Sequence, residues 1–435
     1  IQRAPEPVNL NWESPLFAFP GWLGDYTFKF LNLTKEFHSI DWNYPKYGKL
    51  WTYNLNYFDY LNQQNIEKEE GLVLIRDFVH KESIVKDGLE PYPISLRGMN
   101  WIKFLSRHGV RDPEINNCLF THYRQLYHNI EYHLMGNHLL ENGFSLFFAG
   151  VYFNSHAFLR RGSKILKAEL DEQVLNDGAH FELSPMYHQI ILHRLLDCIN
   201  LLVHNPLRLD QMLELFQSKA IAMLGWLETV LFDNGNIPMV NDSAYGIAAE
   251  SKTLFSYASD LGLRWEAATL KESGYRKWAN EHFECFFDIG NIGPDYIPGH
   301  AHADTFNFEL YVKGKPFIVD LGTSTYEKNS KRQHERGTSA HNTVTVNDSD
   351  QSDVWGGFRV ARRAKIIARQ EKAGLYIASH DGYKRLGIIH QRTFQFAKTE
   401  IQIADKLIGN TAEGIASFHF HPDRKSTRLN SSHYS

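Results

Sequence analysis

From about Leu50 to Gly262 apolar residues recur three and four positions apart, as in NIEYHLMGNHLLENGFSLFFAGVYF and HQIILHRLLDCINLLVHN. That is the spacing of helices with one or more buried faces. Short polar or Pro/Gly breaks separate the runs. Helix and short loop repeated without strand-helix alternation predict a bundle, toroid or solenoid, and not a doubly wound sheet. After Asn280 the period drops to two. Phe306, Phe308, Leu310 and Val312 alternate with Thr305, Asn307, Glu309 and Tyr311, a turn follows at Lys313-Gly314-Lys315, and PFIVD begins a return strand. The runs NTVTVN, VARRAKIIARQ, GLYIASH, HQRTFQFAK and TEIQIADKL read as further strands. Strands following one another without helices predict an antiparallel sandwich. The change of texture falls between residues 262 and 285.

A chain of 435 residues is too long for one hydrophobic core, which supports two domains. Hydrophobic residues at 43% mark it as globular, and a net charge of −4 gives no general attraction to nucleic acid or an anionic membrane. An anionic ligand must therefore be held by a local cluster. Cys118, Cys198 and Cys285 are far apart with no CxxC pair, so neither a disulfide framework nor a thiolate zinc site is indicated. No run approaches the roughly 18 apolar residues of a membrane span. The opening IQRAPEPVNL has neither an initiator Met nor the regions of a signal peptide. The closing DRKSTRLNSSHYS abandons the strand pattern and reads as an adapter-encoded tail. The expected organisation is an N-terminal extension over residues 1–44, a helical domain over 45–270, a sandwich over 271–422 that is incomplete at its C-terminus, and a non-native tail over 423–435.

Four clusters hold more polar chemistry than packing needs. In NHLLEN, Asn137, His138 and Glu141 share one face of a helix. Alone they read more readily as polar caps at a helix N-terminus, or as a core histidine satisfied by Glu141, than as a functional set. In DGAHFELSPMYHQ, Ser184-Pro185 marks a helix start, which puts Tyr187 and His188 in a first turn whose dipole favours a nearby negative charge, with Glu182 just before it. A plain amphipathic tyrosine is the competing reading. In GHAHAD, extended backbone would place His300, His302 and Asp304 on one face, a set costly to bury without a metal, a substrate or mutual hydrogen bonds. Asp320 and His341, in FIVDLG and SAHNTV, form the fourth; with His302 they offer nitrogen and oxygen ligands of the kind that hold zinc.

Together, NHLLEN, DGAHFELSPMYHQ, GHAHADTFNFELYVKGKPFIVDLGTSTY and RGTSAHNTVTVNDSDQS resemble the heparinase II/III family of polysaccharide lyases and the related oligoalginate lyases. WTYNLNYFDYLNQ and PYPISLRGMNWIKFLSR resemble family members of bacterial exopolysaccharide loci, and the likeness spans roughly residues 45 to 422. It implies an incomplete (α/α) toroid followed by an antiparallel β-sandwich, acting on an anionic polysaccharide in the periplasm or outside a bacterial cell. Such lyases remove the C5 proton of a uronic acid and expel the C4 oxygen. By resemblance, Asn137 and His138 neutralise the substrate carboxylate, Tyr187 protonates the leaving oxygen and in syn elimination can also remove the C5 proton, and His300 is a base or second stabiliser; which of Tyr187, His138 and His300 takes the proton depends on the epimer of the uronic acid. Glu141 would orient His138. Arg97, Glu141, Glu182 and His188 are expected to bind substrate, Arg97 either pairing with a carboxylate or forming a structural ion pair. His302, Asp320 and His341 correspond in order to ligands of a structural divalent ion, zinc by ligand type, in some members. No organic cofactor is expected.

Two other classes compete. A glycoside hydrolase on a helical toroid needs two facing carboxylic acids, for which Glu141, Glu182 and Asp242 could be enlisted. A glycan-binding protein that retains the fold without activity would have lost the mutual geometry of Asn137, His138, Tyr187 and His300.

Overall fold

The computed structural model describes residues 3–15 and 21–423; the expected tail from residue 424 onward lies outside the described residues. Its contacts divide the chain into two units, one within Ile1–Phe181, Tyr187–Gly225 and Tyr245–Ala267, the other within Glu182–Met186, Trp226–Ala244 and Ala268–Ser435.

The first unit opens with a small hairpin of β1 (Thr27–Phe30) and β2 (Leu33–Glu36). Helices follow as α1 (Lys49–Tyr57), α2 (Lys68–Lys81), α3 (Pro91–Arg107), α4 (Pro113–His128), α5 (Gly136–Tyr152), α6 (His156–Gln173), α7 (Pro185–Val203), α8 (Asp210–Val230) and α9 (Ser251–Asp260). Their starts carry local signals. Asp112 caps α4 by accepting from the backbone N–H of Glu114 and Ile115, with Pro113 at the first position. Ser155 caps α6 in the same way. Helices α5 and α6 pack closely because glycines line their seam: a Cβ on Gly162 would lie 2.6 Å from the Phe147 nitrogen, and one on Gly150 2.5 Å from the Leu159 backbone. Among the described residues no helix is long and apolar enough to cross a membrane.

The second unit contains β3 (Tyr275–Ala279), β4 (Phe283–Asp288), β5 (Phe308–Val312) and β6 (Lys315–Ile318) in one antiparallel sheet in sequence order. A short helix α10 (Ser330–Arg336) and strands β7 (Val344–Val346), β8 (Asp353–Trp355) and β9 (Arg359–Ala361) lead to a second antiparallel sheet. That sheet comprises β10 (Ile366–Lys372), β11 (Leu375–His380), β12 (Ile388–Phe396) and β13 (Ile401–Gly409), and β14 (Gly414–Ala416) pairs with β7. Phe283, Cys285, Phe287 and Phe308 from the first sheet, with Phe306 from the turn before β5, meet Ala378, Phe394 and Phe396 from the second in one core. Two packed antiparallel sheets are the sandwich that the period-two pattern predicts.

Alternation fails at one strand. Glu309 and Tyr311, expected on an open face of β5, are 1% and 2% exposed. The segment Trp226–Ala244 covers that face: Phe232 stacks on Tyr311 with ring centroids 3.7 Å apart, and the backbone N–H of Met239 donates to Glu309. This segment precedes the sheet by some distance in the chain, so no local pattern announces it.

Candidate functional site

In the helical unit, α5 opens at a sharp corner where Met135 (φ 53°) and Gly136 (φ 52°) both take left-handed backbone conformations. This corner puts Asn137 and His138 in the first turn of α5, where the helix dipole favours an anion. Asn137 is buried and His138 has a side chain 36% exposed. His138 Nδ1 faces Glu131 Oε1 at 3.2 Å, and its ring lies 4.3 Å from that of Tyr92. Glu131 is fixed in turn by Asn142, whose Nδ2 donates to Oε2 at 2.9 Å while its Oδ1 accepts from the Glu131 N–H at 2.9 Å. With Nδ1–H donated to Glu131, His138 presents Nε2. Tyr187, half-buried in the first turn of α7, stands near Tyr57 and Tyr92: burial pushes both those hydroxyls well above the usual tyrosine range, and Tyr187's charge adds to each.

Three residues in this unit depart from their expected assignments. Glu141 does not orient His138. It is fully buried and receives Arg194 Nε at 3.0 Å on both carboxylate oxygens, and burial raises its carboxyl in spite of that partner. Glu131 takes the orienting role. Arg97 is not placed to meet a substrate: it has no exposure, donates to the carbonyls of Gly88 (2.7 Å) and Asn56 (3.3 Å), and lies over Phe78 at 4.4 Å. His188 is likewise a core residue, 1% exposed, with Nε2–H donating to the Met223 carbonyl at 2.9 Å and Nδ1 accepting from the His180 N–H. Burial lowers its pKa to about 3, so it is neutral.

In the sheet unit the centre is Asp242, fully buried and approached from three sides. His300 Nδ1 (2.9 Å) and His302 Nε2 (2.8 Å) donate to its two oxygens, and Arg332 grips both. Burial alone would raise this carboxyl, but the donors from His300, His302 and Arg332 hold it well below the usual range. His300 therefore presents Nε2, which has Glu182 Oε2 at 3.9 Å. Burial works against a charge on His300, yet Glu182 and Asp242 outweigh it and raise its pKa. The backbone entering this site is held under strain. Leu183 sits at φ 57°, and its carbonyl accepts from both Asn241 Nδ2 (3.0 Å) and the Tyr275 hydroxyl (2.8 Å).

His302 and His341 lie behind, both fully buried, with ring centroids 5.3 Å apart. His302 gives Nε2–H to Asp242, and His341 gives Nδ1–H to Asp320 at 2.7 Å. Each ring keeps one buried nitrogen, Nδ1 of His302 and Nε2 of His341, with no hydrogen-bond partner. Asp320 also accepts from Asn307 Nδ2 and the Gly322 N–H. The donor set fits a divalent ion, because metal-binding imidazoles commonly hand their other N–H to a carboxylate. Among the described residues the trio whose ligand atoms all fall within 4.8 Å of one another is a different one, Glu82, Cys118 and His122. There Arg97 faces His122 Nδ1 at 3.3 Å, so the ring proton sits on Nε2 and points at Glu82 at 3.0 Å. That leaves no imidazole lone pair for a metal.

Glu131, Tyr92 and Arg332 escaped the sequence reading, and Asp242 entered it only as a hydrolase acid. Tyr92 stands in a segment quoted for its likeness; the other three act across gaps that carry no fixed spacing.

A mainly helical unit and an antiparallel sandwich, each presenting an imidazole anchored by a buried carboxylate, define a helical-domain-plus-sandwich protein. A family model described as "Heparinase II/III N-terminus" matches residues 94–260, and one described as "Heparinase II/III-like, C-terminal" matches residues 263–434. The chain belongs to the heparinase II/III family. It is 23% identical over 346 residues to the heparin-sulfate lyase of Bacteroides stercoris, covering 71% of this chain and 50% of that protein. It is 25% identical over 351 residues to the FtsZ-localized protein C of Caulobacter vibrioides, covering 73% of this chain and 58% of that one. The chain thus spans about half the length of the curated relatives it matches. The crystal structure of heparinase III shares the fold, with a TM-score of 0.64 at 18% identity over 87% of this chain and 66% of that one.

Proposed function

We propose that this chain carries the catalytic residues of a polysaccharide lyase that cleaves a uronic-acid-containing glycan by β-elimination. The observation that carries the reading is how the site carboxylates are engaged. Glu141 is locked to Arg194, Asp242 to Arg332, and Glu131 and Asp242 each hold an imidazole by Nδ1. A hydrolase needs two carboxylic acids free to exchange protons and water. Two of the three carboxylates a hydrolase could enlist, Glu141 and Asp242, are thus taken up by arginines, and the remaining site residue types, an amide, imidazoles and a phenol, are the set suited to elimination.

In the reaction the C5 hydrogen leaves as a proton, its electron pair forms the C4–C5 double bond, and the C4–O bond breaks with a proton delivered to the departing oxygen. Asn137 and His138, at a helix N-terminus, neutralise the uronate carboxylate and so acidify C5. In the helical unit Tyr187 protonates the leaving oxygen; in the sheet unit His300, fixed by Asp242, offers Nε2 as a proton acceptor. Glu182 sits beside His300 as a contact for sugar hydroxyls. A zinc ion held by His302 and His341, with Asp320 bracing His341, would fix the GHAHAD segment from behind. It would supply rigidity to the backbone that carries His300.

Digestion of uronate polysaccharides in heavy-oxygen water separates the possibilities. The expected products carry no label from the solvent and are lighter by one water than hydrolysis products. One labelled oxygen per cut would reject elimination in favour of hydrolysis.

A further inference from the structure

The hairpin of β8 and β9 ends in Gly356-Gly357-Phe358 and projects beside His300. Trp355 and Arg359 pair in register below the tip, and Gly356 (φ 61°) and Gly357 (φ 83°) take left-handed conformations that make the tight turn possible. The tip is apolar yet open to solvent: Phe358 and Trp355 are each 44% exposed, a large area for aromatic rings that a core would otherwise take.

The rings are also ordered. Phe358 and Tyr326 lie nearly parallel, 10° apart in plane with centroids separated by 5.8 Å. The Arg332 guanidinium, itself buried, lies over both at 5.5 and 5.2 Å, and His300 meets both edge-on at 6.0 and 6.3 Å. Arg332 is at the same time the clamp on Asp242, so the aromatic pair is tied to the group that fixes His300. Exposed cations flank the tip. Lys328 Cγ would lie 3.5 Å from a Cβ at Gly357, and Arg359 Cδ 3.8 Å from one at Gly356. In a chain of net charge −4 this is a local positive rim around an apolar platform.

We propose that the β8–β9 tip is a sugar subsite that takes an anionic pyranose of the polysaccharide next to the one being cleaved. The C–H face of the sugar stacks on Phe358 and Tyr326, and its carboxylate or sulfate meets Lys328 and Arg359. The assignment rests on the reading of His300 as part of a polysaccharide site. Neither apolar contact alone nor charge alone fits both halves of the tip; an acidic sugar ring fits both.

The test is affinity electrophoresis through gels containing heparan sulfate, alginate or hyaluronan, using Tyr187→Phe as a non-cleaving host. Phe358→Ala is expected to weaken retention by about five- to tenfold, with Phe358→Tyr restoring it. Lys328→Gln with Arg359→Gln is expected to weaken retention and flatten its salt dependence. Melting curves matching the host show that the variants fold. Retention unchanged in both hairpin variants, or no retention of the host by any of the three polymers, overturns the subsite. Ultraviolet-absorbing product from the otherwise wild-type chain reports on elimination separately. Product with unchanged hairpin variants sinks the subsite alone, and weakened hairpin variants without product sink the elimination reading alone.

Discussion

His138 and His300 stand on unrelated elements, one at the start of a helix and one in a loop before a strand, yet both are presented alike. A buried carboxylate takes Nδ1–H and leaves Nε2 to act. Glu131→Gln keeps an acceptor for Asn142 but removes the charge that steadies His138, and it should lower kcat about tenfold with little change in KM. Steady-state kinetics on the substrate polymer read this directly. Asp242→Asn should do more, because it also strands Arg332, a buried guanidinium: a loss of about 3 kcal/mol of stability is expected in chemical denaturation. Asn137, His138 and Tyr187 could be picked out from sequence by the family likeness of their motifs, and the His300 cluster also because two histidines and a carboxylate are costly to bury. Their partners could not, since Glu131 and Asp242 look like ordinary acidic residues until the fold brings them to an imidazole. Arg97 misled for the opposite reason: an arginine on an amphipathic helix gives no sign that its guanidinium will be used up by Gly88 and Asn56 carbonyls.

Among the elements, α7 ties chemistry to stability. One turn carries Tyr187 and then His188, whose neutral ring bridges the His180 N–H and the Met223 carbonyl. Its folded pKa of about 3 lies below that of the unfolded chain, so from about pH 6.5 downward the unfolded state takes up a proton that the folded state refuses. Its contribution is present above that pH and is lost as the solution is acidified, at up to about 1.4 kcal/mol per pH unit. Denaturation series between pH 7 and 5 should show this slope, reduced in His188→Gln. The α5–α6 seam gives a second check. Gly162→Ala pushes a methyl group into the Phe147 backbone and should cost about 2 kcal/mol, measured the same way. The helices were legible because period and caps agree, as at Asp112-Pro113. β5 was legible as a strand but not as one buried on both faces, since its cover comes from residues 226–244.

At the scale of the whole molecule, the two units were foreshadowed by a change of period from near 3.6 to 2. The inclusion of residues 182–186 and 226–244 in the sheet unit was not, because contacts made far along the chain decide it. If zinc sits between His302 and His341, chelation should lower the melting temperature of the sheet unit and added zinc should restore it. His341→Ala should abolish that response. The central claim is elimination, and its most direct test is the ultraviolet absorbance of the conjugated uronate product in a panel of uronic-acid polysaccharides, with Tyr187→Phe beside the unaltered chain. Absorbance that rises with one polymer and is abolished in a folded Tyr187→Phe is the predicted result. Cleavage without that absorbance, or absorbance that Tyr187→Phe leaves intact, would contradict it.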